Sequence, residues 1–142
     1  MLNNIASWSD ISLPEMKEVE MLDYLTIAET TESIDILKPL LIASRNQVLP
    51  LSIRVRAVLA LRPLVSKSTI NVTIPMFKLV KDFTLPEEIR LAAVTVIMEY
   101  PSPTVLVACI QDMKSEPSFN IRRFVLDRLI TITEEKELPT EM

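Results

Sequence analysis

Leucine-proline pairs recur in this chain at Leu13-Pro14, Leu49-Pro50 and Leu85-Pro86, 36 residues apart each time, and Glu116-Pro117 follows after a further 31. A fixed period of about 20–50 residues marks a repeat architecture, in which each unit buries its apolar face against the next. Proline in the first helical turn sacrifices no backbone hydrogen bond, so each pair reads as the start of a helix. Two pairs lie inside the tetrads Ser12-Leu-Pro-Glu15 and Thr84-Leu-Pro-Glu87, which have the form of capping boxes. The chain has ten prolines and no glycine. Glycine serves left-handed caps and tight hairpin turns, so its absence disfavours a β-rich fold.

The segments opened by the last three prolines share one register: SIRVRAVLAL (52–61), EIRLAAVTVI (88–97) and NIRRFVLDRL (120–129). Aligned on Arg54, Arg90 and Arg122, they place Ala57, Ala93 and Val125 three positions later and Leu61, Ile97 and Leu129 seven later. Those spacings share one helical face. Small residues there let a neighbouring helix approach, and large ones fill the groove between helices. A second set of helices falls between, with Asp35 and Asn71 in N-cap position before Pro39 and Pro75. The pattern predicts helices over about 14–29, 35–44, 51–65, 71–82, 87–99, 103–114 and 118–132, an all-α solenoid of paired helices with a 31–36-residue period. The domain would span 13–133, between an N-terminal extension (1–12) and an acidic tail (134–142).

A helix at 87–99 is too apolar to keep one face in water, and the solenoid supplies its cover, because one helix of each pair lies between its partner and the adjoining repeats.

Net charge is −4 and the basic residues are scattered among the acids, which disfavours nucleic acid as a partner. The opening MLNNIASWSD has neither the basic nor the apolar region of a secretion signal, and no run of eighteen apolar residues occurs. Cys109 is the only cysteine and there is no histidine, so the common metal sites and nucleophile-base pairs are missing. Cys109 sits in the apolar row Val105, Leu106, Val107, Ile110 and reads as core. Glu87 and Glu88 occupy a helix's first turn, where the dipole explains them without acid-base chemistry. The periodic arginines read as structural, each paired with a carboxylate or loop carbonyl of the next repeat. Met76, Met98, Met113, Phe77, Phe83, Phe119 and Phe124 read as ordinary packing. Asn71-Val72-Thr73 fits the N-glycosylation sequon.

The run LPEEIRLAAVTVIMEYPSPTVLVACIQDMKSEPSFNIRRFVLDRL (85–129), preceded by ESIDILKPLL and SIRVRAVLALRPLV, resembles the helical domain of the large lipid transfer proteins, the vitellogenins most closely. Three features carry the likeness: Ile-Arg-x-x-Ala at Ile53-Arg54 to Ala57 and Ile89-Arg90 to Ala93, Pro-Ser-Pro at 101–103, and Glu-Pro-Ser at 116–118. The segment 21–33 departs from the family, and Glu18 stands where the register calls for arginine. The resemblance implies a two-layered, right-handed superhelix of about three and a half repeats, wrapped around β-sheets that enclose phospholipid and neutral lipid. It implies a secreted, non-catalytic segment of a lipid-transport or yolk-storage lipoprotein, needing no cofactor and meeting lipid indirectly, and a chain that is a fragment or truncated relative. Apolipophorin and the microsomal triglyceride transfer protein share the same helical domain. The alternative is a free-standing HEAT-like scaffold that binds a protein along its concave face.

Overall fold

The computed structural model describes residues 17–141, with side chains through Glu135. The Leu13-Pro14 pair, the tetrad at 12–15 and the extension over 1–12 lie outside those residues. Every regular element described is helical: α1 (Glu18–Thr31), a 3-10 turn (Ile34–Ile36), α2 (Leu37–Arg45), α3 (Leu51–Leu59), α4 (Arg62–Val65), α5 (Thr69–Lys81), α6 (Glu87–Ile97), α7 (Pro103–Met113) and α8 (Phe119–Glu141). The fold is all-α, and the chain divides into two compact units, one ending at Tyr100 and one beginning at Pro101.

In the first unit α3 packs against α2 and α6, while α6 packs against α5, α3 and α4. That arrangement covers the very apolar α6, whose Ile89, Arg90, Ala92, Ala93, Val94, Val96 and Ile97 are all buried. The register positions Ala57, Ala93 and Leu61 are fully buried and Ile97 nearly so. Methyl-sized side chains at 57 and 93 give the neighbouring helices room. Helix α1 lies on α3 and α4. Three ion pairs fasten it: Glu29 with Arg56 at 2.6 Å and with Arg62 at 3.7 Å, and Glu32 with Lys67 at 2.5 Å.

Several boundaries differ from the sequence pattern. The predicted helix 51–65 breaks between α3 and α4, because Pro63 has no N–H to offer the carbonyl of Leu59. The Arg62 Nε donates to that carbonyl instead, at 3.2 Å. Asn71 is not an N-cap but the third residue of α5, which starts at Thr69, so Pro75 falls inside the helix. Asp35 does not cap α2 either; its N–H donates to the Ser33 hydroxyl at the head of the 3-10 turn. The Thr84 capping box does not form, since the Thr84 hydroxyl bonds Asp82. Phe83 and Phe119 are exposed rather than packed in the core. Without glycine, α1 closes on Glu32 in the left-handed region (φ 53), a conformation that strains a residue bearing Cβ.

In the second unit α7 begins at Pro103, and the Ser102 hydroxyl accepts from the Val105 N–H at 3.2 Å. Helix α7 packs on α8. Cys109, Ile121 and Val125 are buried, Leu129 is half-buried, and Phe119, Leu126 and Ile130 are exposed. The backbone of α8 runs through Glu141, nine residues past its expected end.

Truncating fully buried Leu61 to alanine is expected to lower unfolding free energy by about 2–5 kcal/mol in denaturant titration, and Leu129→Ala, half-buried, by less. A loss below about 1 kcal/mol for Leu61→Ala would contradict its core position. Burial pushes the Tyr24 phenol from 10.0 up to about 12. The folded state therefore holds the phenolic proton more tightly than the unfolded chain, and Tyr24's contribution is complete below pH 10 and lost as pH rises toward 12. Tyr24→Phe should flatten that alkaline decline in a pH series of thermal melts.

Candidate functional site

The most regular construction in the molecule is the connector between a repeat's second helix and the first helix of the next. After α2, the Asn46 side-chain oxygen accepts from the Val48 N–H at 3.0 Å; after α5, Asp82 Oδ1 accepts from the Thr84 N–H at 3.1 Å. The Leu49 N–H donates to the Asn46 carbonyl and the Leu85 N–H to that of Asp82, both at 3.1 Å. Short Asn and Asp side chains that fold back on the backbone turn the chain without a glycine. Pro50 and Pro86 then lead into α3 and α6, their carbonyls accepting the first helical bonds.

The register arginine closes each connector. Arg54 Nε donates to the Ser44 carbonyl at 3.0 Å, and Arg90 Nε donates to the Val80 carbonyl at 2.8 Å. Both acceptors lie in the last turn of the preceding helix, where carbonyls lack helical partners and the dipole favours a cation. The arginines thus reach back ten residues to their own connector's start, not to the next repeat as the sequence suggested. Both guanidinium side chains are buried. Phe83 lies over Arg90, ring centroid 4.7 Å from Cζ, which accounts for an otherwise exposed ring. The two connectors are joined by Arg45 and Asp82 at 2.8 Å. Thr84's hydroxyl, then Arg45, hold the Asp82 carboxyl down to about 2.

In the second unit the third register arginine is placed differently. Arg122 is exposed and its guanidinium donates to the Glu116 carbonyl, six residues back. The buried Glu116 carboxylate accepts from the Ser118 N–H at 2.9 Å.

Burial, then the charge of Asp112, push the Cys109 thiol up to about 12, so the nucleophilic thiolate is unpopulated near neutrality. Among the described residues no group of His, Cys, Asp and Glu is placed to hold a metal ion.

An open groove of about 440 Å³ runs along α3 and is lined by Leu51, Ser52, Val55, Arg56 and Leu59, with Glu88 of α6 opposite. Leu51, Val55 and Leu59 follow at four-residue steps on one face of α3. The stripe lies off the buried row on which the repeats align, so the register does not display it. Asn46 and Asp82 do carry a sequence signal, recurring at the same 36-residue period as the prolines.

Compared with known families, residues 16–130 match the model described as the vitellogenin TPR domain. No curated protein and no solved structure matches the chain.

Arg90→Ala is expected to cost about 1.5–3 kcal/mol, the range for a lost hydrogen bond from a charged donor, whereas Arg123→Ala, at an exposed pair 3.8 Å from Asp127, should change stability by under about 1 kcal/mol. Thermal melts of the two variants check this; equal effects would refute a clamp role for Arg90.

Proposed function

The chain belongs to the vitellogenin TPR domain family, and on that premise we propose that it is a non-catalytic structural segment of a lipid-transport or yolk-type lipoprotein. Its helices brace a cavity for phospholipid and neutral lipid whose β-sheet walls come from outside these residues, so that contact with lipid is indirect. The family is one of lipid transport, and the setting is extracellular. The described residues contribute no strand, and none of their helices is long and apolar enough to cross a membrane.

The observation that carries the reading is the groove along α3. A helix that has already buried Ile53, Arg54, Ala57 and Val58 on one side still offers Leu51, Val55 and Leu59 on another. A second apolar stripe on a helix already packed suits a further layer.

The test is purification of residues 1–142 alone and with phospholipid-coated neutral-lipid emulsions, whose apolar surface stands in for the sheet walls that would cover the α3 groove. A chain that self-associates alone and is kept dispersed by the emulsion supports the lipoprotein segment. A monodisperse chain indifferent to the emulsion would overturn it in favour of a free-standing scaffold that binds proteins. Leu51→Asp places a carboxylate in the first turn of α3, where the helix dipole tolerates it, and should weaken the emulsion effect several-fold without lowering the melting midpoint.

A further inference from the structure

The sequon Asn71-Val72-Thr73 remains unabsorbed by the packing or by the groove. It lies in the first turn of α5, and its three side chains divide sharply: Asn71 is exposed, while Val72 and Thr73 are buried. The same exposed face carries Ile70 (71% exposed) and Ile74 (53% exposed). The buried face of α5 is Val72, Thr73, Met76, Leu79 and Val80, which joins α5 to α6. A substituent on the Asn71 side-chain nitrogen would therefore leave from the exposed face of α5 and not from the face made by Val72, Thr73, Met76, Leu79 and Val80. The asparagine has no capping duty to surrender, because Ser68 occupies the N-cap position. Asn71-Val72-Thr73 is also the only Asn-x-Ser/Thr triplet in the chain with a non-proline middle residue.

We propose that Asn71 is an acceptor for an N-linked glycan. The bond formed joins the reducing-end sugar carbon of a lipid-diphosphate-linked oligosaccharide to the Asn71 amide nitrogen. The sugar-phosphate bond breaks, the diphosphate leaves on the lipid carrier, and the amide gives up one proton. The donor is a carbohydrate of the secretory pathway, so the proposal rests on the extracellular setting inferred above. A hydrophilic chain at this point makes the outer face of α5, with Ile70 and Ile74, a side turned to water rather than a docking face.

The experiment directs the full chain into the secretory pathway of cultured cells with a cleavable leader and compares it with Asn71→Gln by gel mobility before and after peptide N-glycosidase. The expected result is a glycosidase-sensitive upward shift in the wild type, conversion of residue 71 to aspartate in its tryptic peptide, and no shift in Asn71→Gln. An unshifted wild-type chain with an intact Asn71 peptide overturns the proposal. Because the leader supplies entry to the pathway and modification is read from cell lysate, that failure would count against Asn71 as an acceptor and leave the extracellular reading untouched.

Discussion

A guanidinium donating to the last-turn carbonyl of the preceding helix is the interaction on which the first unit depends. Helix C-termini leave carbonyls without partners, and a chain that must bury those ends between stacked helices has to supply donors from elsewhere. Arg54 and Arg90 supply them at equivalent places, one at Ser44 and one at Val80. Each is a cation placed at the negative end of a helix, so one side chain meets a hydrogen-bonding need and a dipole together. Burial of such a charge is tolerable only with this kind of pairing. The apolar rows of α3 and α6 then close over it, with Ala57 and Ala93 allowing the approach and Leu61 and Ile97 filling the space.

Much of this was legible from residue types and spacing. The proline period located the starts of α3 and α6, and the register arginines pointed to a structural duty. What remained hidden depends on competition between local partners. Thr84 could cap a helix or bond Asp82, and the nearer carboxylate wins. Pro63 could sit in a first turn or in an interior, and only the packed α4 shows that it divides two helices. Asn71 has the side chain of a cap and stands four residues before Pro75, but Ser68 and Thr69 carry the helix further back. The groove residues Leu51, Val55 and Leu59 belong to a face with no counterpart in the buried row, so alignment on that row could not display them.

The chain contains no histidine, and burial holds its one thiol, Cys109, protonated near neutrality. The two units expose different side chains: the first presents the α3 groove, the second presents Phe119, Leu126 and Ile130 along α8.

The ten-residue reach from each register arginine to its carbonyl has a consequence for how such a chain can change. A residue added to the start of α3 or α6 would rotate everything after it by about 100° around the helix axis and carry the guanidinium away from its acceptor. Substitution is far less disruptive: Gln47 stands in one connector where Phe83 stands in the other, and Asn46 where Asp82 does, with the same turn retained. The connectors are therefore variable at their middle positions and fixed in length. Divergence among repeats built this way would be expected to accumulate as replacements within a constant count of residues, which is how a 36-residue period outlasts most of the identities within it.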